Sequence, residues 1–255
     1  MRLPSLGMAV RVWRRNALIF WKVWPQLVVP LSLDPVLYFL ALGYGLGGYV
    51  PDVDGVPYRD FLAPALCATS AMWGATFEAT HSFFARMQDA RTHDNILTTP
   101  IEAEDVALGE LLWMGTRGVI YGSVFLLVIA VMGYVHSFLG LVLLPFLFVG
   151  GVAFGAMGMS FGLAIKKADY FSYYYLLVLN PLFLFGAVFF PVDALPGWAQ
   201  VIAWCTPLLH LGNLARTLCS GGSAWAGLGD AAWLLVATTV LALLPLYRLR
   251  RRLVA

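Results

Sequence analysis

Charge is what this sequence has least of. Asp, Glu, Lys and Arg make up 12% of its 255 residues, about half the roughly 25% of an ordinary soluble domain. That excludes a solvated globular fold, and a net charge of +2 is too small to point to nucleic acid. Cysteine is scarce as well. Cys67, Cys205 and Cys219 form no C-x-x-C pair, and His81, His93, His136 and His210 are scattered along the chain, so no metal-ligand spacing emerges. The G-x-x-x-x-G-K-[ST] phosphate loop, HExxH and GxSxG are all missing, so neither nucleotide hydrolysis nor another catalytic constellation is encoded here. The N-terminal segment MRLPSLGMAVRVWRRN carries its arginines inside the segment rather than ahead of an apolar run. It lacks a cleavable signal pattern and is expected to be retained.

Apolar residues fill the space that charge leaves. They make up 60% of the chain, and the mean hydropathy is +0.79. A helix needs about 20 apolar residues to cross the hydrocarbon. The expected fold class is therefore an all-α polytopic membrane protein, one transmembrane domain over residues 1–255. Six spans are expected near residues 25–49, 61–84, 106–135, 138–165, 170–190 and 224–247. Residues 2–22 mix Arg2, Arg11, Arg14, Arg15 and Lys22 with Trp13, Phe20 and Trp21, the pattern of an amphipathic helix lying in the membrane interface. Residues 191–223 are too apolar for a loop and too interrupted for a span. Pro196, Pro207 and Gly212 divide them into two short helices, a re-entrant or interfacial hairpin. Gly151, Gly155, Gly158 and Gly162 form a small-residue stripe on span four that admits a close helix neighbour.

One charged island interrupts this pattern. Eight of the chain's 30 charged residues (16 basic and 14 acidic) lie between Arg86 and Glu110. Such an island cannot sit in lipid. Residues 86–105 are a water-facing loop, either a grip for a soluble partner or a plain connector. With the N-terminus in the cytoplasm and six spans, 14 of the 16 Lys and Arg residues fall on the cytoplasmic side. The positive-inside rule then puts both termini and the island there. Inside the spans, Asp34, Glu78, Arg117 and Asn180 are the polar residues that need an explanation. Glu78 and Arg117 lie at similar depth on adjacent spans and either pair or reach water separately. Asn180-Pro181 predicts a kink in span five. Cys205 and Cys219 both fall on the outer side, as a disulfide or as free thiols.

Local motifs carry a resemblance. VWRRN (12–16), DPVLYFLALGYGLG (34–47), VDGVPYRDFLAPALCATSAM (53–72), ATFEAT (75–80), FARM (84–87) and GAVFFPVDALPGW (186–198), followed by PLLHLGNLAR, resemble the ABC-2 type exporter permeases. Among these they look like the permeases of nodulation-type lipo-oligosaccharide exporters. The resemblance implies a half-transporter in the bacterial inner membrane. Two copies would work with two copies of a separate nucleotide-binding ATPase that holds ATP and magnesium, so this chain would need no cofactor and be no enzyme. It implies an ATPase-coupling helix over Arg91, Thr92, His93, Asp94, Asn95, Ile96, Leu97, Thr98, Thr99, Pro100 and Ile101. It also implies that an amphipathic substrate enters from the inner leaflet among membrane lipids. Asp34 and Pro35 would shape the entry, and Tyr170, Tyr173 and Tyr174 would offer a stacking surface. The plainer readings are an Asp-Pro turn at the membrane boundary and an interfacial aromatic belt. Two other functions stay open at this point: a proton-coupled carrier using Asp34, Glu78 and Arg117, and a membrane scaffold without transport.

Overall fold

The computed structural model describes residues 4–50, 52–53, 55–88 and 100–254. The described residues are almost wholly helical. The first helix, α1 (Leu6–Tyr38), continues without a break as a π-helical turn over Phe39–Leu46. The expected joint between a surface helix and span one, near residues 23–24, is helical. Pro25, Pro30 and Pro35 lie inside α1. Each withholds an N–H from the carbonyl four residues earlier, a local penalty that packing outweighs. Ala9, Val12, Asn16, Phe20 and Val28 form one buried stripe at helical spacing.

That stripe lies on α3 (Ala103–Val131). Trp13 Nε1 donates to Thr116 Oγ1 at 2.8 Å, and Tyr121 OH donates to the Leu27 carbonyl at 3.1 Å. Phe20 meets Trp113 edge to face at 5.5 Å. Helix α3 starts with a capping box in which the Glu102 N–H donates to the Asp105 carboxylate, satisfying donors a helix start leaves open. The Ser5 N–H donates to the same carboxylate at 2.6 Å and pins the start of α1 to the start of α3.

Helix α2 runs through Tyr58–Phe77, a π turn at Glu78–Ser82 and Phe83–Gln88. It is buried along most of its length. Helix α4 (Leu143–Gly162) follows a 3₁₀ turn at Phe138–Val142. Helix α3 is the hub, with α1, α2, α4 and the last helix, α8 (Leu228–Val254), packed around it. The glycine stripe of α4 serves two neighbours rather than one. A Cβ on Gly151 would stand 3.0 Å from the Gly118 Cα of α3, whereas one on Gly158 would stand 2.9 Å from Ala79 Cβ of α2.

Helix α5 is assembled from Phe171–Tyr174, a π turn at Tyr175–Leu179 and Asn180–Phe185, with a 3₁₀ lead-in at Ala168–Tyr170. It ends at Phe185, earlier than the expected residue 190, in a bend where Ala187 adopts φ 53°. Arg216 holds that bend, donating to the carbonyls of Ala187 (2.5 Å) and Phe61 (3.1 Å). Arg216 belongs to α7 (Pro207–Ser220), which follows α6 (Gly197–Trp204). Thr206 caps α7 and Gly221, at φ 77°, ends it, so Gly212 does not divide the hairpin as expected. Cys205 is exposed and Cys219 is buried, and both are free thiols.

Among the described residues, four helical stretches are long and apolar enough to cross a membrane: Leu6–Leu46, Ala103–Val131, Phe138–Gly162 and Trp225–Leu249. Of the six expected spans, α2 and α5 do not stand out on that measure. The first is rich in small and polar core residues, and the second is built from short pieces.

Candidate functional site

Two polar features of the described interior bear on the residues singled out in the sequence. The first is a buried ion cluster between α2 and α3. Glu78 and Arg117 come together, with Nε 3.3 Å from Oε2. Arg86 joins them, 2.9 Å from Glu78 Oε1 and 2.5 Å from Glu110 Oε2. Glu110 and Arg117 are fully buried and Glu78 is nearly so. Two acids and two bases leave the cluster neutral, the condition under which charge is tolerated inside a protein. The arrangement follows from register. Arg86 lies two turns beyond Glu78, and Arg117 two turns beyond Glu110. On antiparallel helices those opposite orders match acid to base at both levels. Arg117 is also covered by the rings of Phe20, 4.5 Å from its guanidinium, and Tyr121, at 4.9 Å. These cation–π contacts bring α1 into the same assembly.

Arg86 lies on the helix before the 89–99 segment and Glu110 on the helix after it. The coupling residues Arg91, Thr92, His93, Asp94, Asn95, Ile96, Leu97, Thr98 and Thr99 lie outside the described residues. Pro100 is exposed in a turn, and Ile101 packs against the core.

The second feature is a cleft of about 270 Å³. Helix α1 contributes Leu31, Asp34, Pro35 and Tyr38, α2 contributes Thr69 and Trp73, and α5 contributes Asn180. Asp34 and Asn180, two of the polar residues singled out in the sequence, thus face one space. Trp73 stacks on Tyr175 at 6.0 Å and 9°, and Tyr38 meets Phe183 at 5.5 Å, so the walls are aromatic. All three lining helices carry a π turn. Such turns are rare and concentrate at functional positions. Two of them are linked, because Thr80 and Tyr175 share a hydrogen bond of 2.7 Å.

The tyrosine surface divides. Tyr170 and Tyr173 are exposed and stack on each other at 6.3 Å, away from the cleft. Tyr174 is buried against Phe161 at 5.1 Å, so it cannot offer a surface to substrate. The reading from sequence missed Arg86, Glu110, Tyr38, Thr69, Trp73 and Tyr175 as site residues. Spacing held a signal for most of them: Glu78 with Arg86, Glu110 with Arg117, and Thr69 with Trp73 each share a helix face. Among the described residues no group of His, Cys, Asp or Glu could hold a metal ion.

Comparison with known proteins gives a consistent result. Residues 9–218 match the family described as ABC-2 type transporter. The chain is similar to Nodulation protein J of Rhizobium leguminosarum bv. viciae, 42% identical over 84% of this chain and 83% of that protein. It is similar to Nodulation protein J of Rhizobium meliloti (strain 1021), 39% identical over 86% of this chain and 84% of that one. Inner membrane transport permease YadH of Escherichia coli (strain K12) is 28% identical over 78% of each chain.

Proposed function

Because the chain belongs to the ABC-2 type transporter family, as a membrane permease, we propose that it is the transmembrane half of an ATP-driven exporter of an amphipathic compound. The cargo is a lipo-oligosaccharide, a glycolipid or another lipophilic molecule. Two copies pair with each other and with two ATPase subunits, which bind ATP and magnesium; this chain itself holds no cofactor. It crosses the inner membrane six times with both termini in the cytoplasm, flanked by an interfacial N-terminal helix and an outer re-entrant hairpin. The Arg91–Ile101 segment receives the motion of the ATPase. Substrate enters from the inner leaflet, past Asp34 and Pro35.

The observation that carries this reading is the ion cluster of Glu78, Arg86, Glu110 and Arg117. It clamps the two helices that lead into and out of the charged segment, and Phe20 and Tyr121 extend the clamp to α1. A push on the segment therefore moves α2 and α3 as one unit and is felt by α1, which forms one wall of the cleft. The ion pairs fix relative position; the family's partner ATPase supplies the energy.

The test is purification of the chain from its native membrane without crosslinker, followed by an ATPase assay. A stoichiometric ATPase is expected, with its coupled activity lost in Asp94→Ala and Asn95→Ala. An oligomer free of ATPase, or activity indifferent to both substitutions, would overturn the mechanism.

A further inference from the structure

The chemistry of the cleft between α1, α2 and α5 is one-sided. Its carboxylate, Asp34, has no ion-pair or hydrogen-bond partner among the described residues, and no basic side chain lines the space. The Leu31 carbonyl faces position 35, where proline has no N–H to give it. The Thr69 hydroxyl already donates to the Ala65 carbonyl at 3.4 Å and so presents its remaining lone pairs. The Asn180 amide, the Trp73 indole N–H and the Tyr38 hydroxyl can donate, but none of them carries a positive charge. A cleft with one carboxylate, no basic side chain among its lining residues and walls of Trp73 and Tyr38 is complementary to a cation that donates hydrogen bonds. Aromatic faces attract ammonium groups, and a carboxylate adds a charge-assisted bond that a hydroxyl or ester cannot match. A space of about 270 Å³ fits a head group and leaves an alkyl chain to run out along the apolar surfaces of α1 and α5, where Leu33, Leu37, Leu176 and Leu177 are exposed.

From this we infer that the cleft binds the primary ammonium group of a cationic amphiphile. The inference deepens the export reading and rests on it for the meaning of the cleft as an entry site. The cleft selects cargo by charge at the head group and accepts the tail without further discrimination. Asp34 is the counter-ion, Trp73 and Tyr38 supply the faces, and Asn180 orients the head group through its carbonyl oxygen.

The test uses the full chain alone in nanodiscs of zwitterionic lipid. The probes are 1,12-diaminododecane carrying dansyl on one nitrogen and the same molecule acetylated on the other. Saturable binding of the free ammonium probe is expected, with at least about tenfold weaker binding of the acetylated one, in line with a cation–π contact and a charge-assisted bond. Asp34→Asn removes that preference, Asp34→Glu keeps it, and Trp73→Leu weakens the ammonium probe. Protection of Cys67 and Cys219, both buried, from maleimide verifies that each variant is folded. Equal binding of the two probes, no saturable binding, or a preference that survives Asp34→Asn would overturn the inference. Because no ATPase or ATP is present, those results leave the export reading standing. Loss of ATPase coupling at Asp94 and Asn95 is the separate observation on which that reading depends.

Discussion

Replacing Arg117 by Gln removes one charge from the fully buried end of the cluster. The pair it breaks has its charged atoms 3.3 Å apart. At an effective dielectric of about 20, Coulomb's law gives an attraction of about 5 kcal/mol. Glu78 then keeps Arg86, whose guanidinium also contacts Glu110. Breaking a buried pair from one side costs about 3–5 kcal/mol. The lower end is expected here, because Arg86 remains 2.9 Å from Glu78. Adding Glu78→Gln restores neutrality and should recover about 1–3 kcal/mol, the coupling typical of residues in one network. The assay is reversible unfolding in mixed detergent micelles, followed by tryptophan fluorescence, across the four members of the cycle. A loss below about 1 kcal/mol in Arg117→Gln, the range of an exposed pair, would refute the view that this cluster is a desolvated clamp. Strict additivity of the two substitutions would refute it equally.

The remaining predictions rest on separate features. Gly118→Leu drives a side chain into α4, where a Cβ alone would stand 2.8 Å from the Gly151 Cα; overpacking should cost about 1–3 kcal/mol or more, read as a lower unfolding midpoint. Ala187→Gly relieves a backbone held at φ 53° and should stabilise the protein by a few tenths to about 1 kcal/mol, provided Arg216 keeps its bonds to the bend. Arg216→Met removes charge-assisted bonds to the carbonyls of Ala187 and Phe61 and should cost about 2–3 kcal/mol by the same unfolding assay. Maleimide should label Cys205 in the folded protein and leave Cys219 unreacted: burial pushes the Cys219 thiol up to about 11, so near pH 8 it stays protonated and unreactive. Rapid labelling of Cys219 under native conditions would show that α7 is not packed as described.

Hydropathy made the long apolar helices legible, and one unexplained acid and one unexplained base in adjacent expected spans pointed to the Glu78–Arg117 contact. Arg86 was read as one more charge of a loop, because sequence does not tell which way a residue at a span boundary turns. The register argument that assigns it inward needs both helices at once. The continuity of α1 was hidden by Pro25, Pro30 and Pro35, since local rules count each as a break and only the stripe against α3 outweighs them. Tyr174 was grouped with Tyr170 and Tyr173 by proximity. In the helix that follows the 3₁₀ turn at Ala168–Tyr170, Tyr174 is taken up by Phe161 while Tyr170 and Tyr173 stay exposed, a division set by the neighbouring helix rather than by spacing. Asp34 and Asn180 were each odd on their own. That they share a cleft depends on the packing of α1 and α5 across α2, which no local pattern encodes.

The unbroken first helix has a consequence of scale. Its 41 residues, Leu6–Leu46, span about 60 Å at 1.5 Å per residue, roughly twice the depth of the hydrocarbon layer. About half of the rod must therefore lie beyond the oily part of the bilayer, and the end that lipid tolerates least is the one bearing Arg11, Arg14, Arg15 and Lys22. The same continuous helix carries this basic end and, further along, Asp34 and Tyr38 of the cleft wall. Displacement at the basic end would reach Asp34 and Tyr38 along one continuous helix, with Pro25 and Pro30 as the points where its hydrogen-bond ladder is weakest.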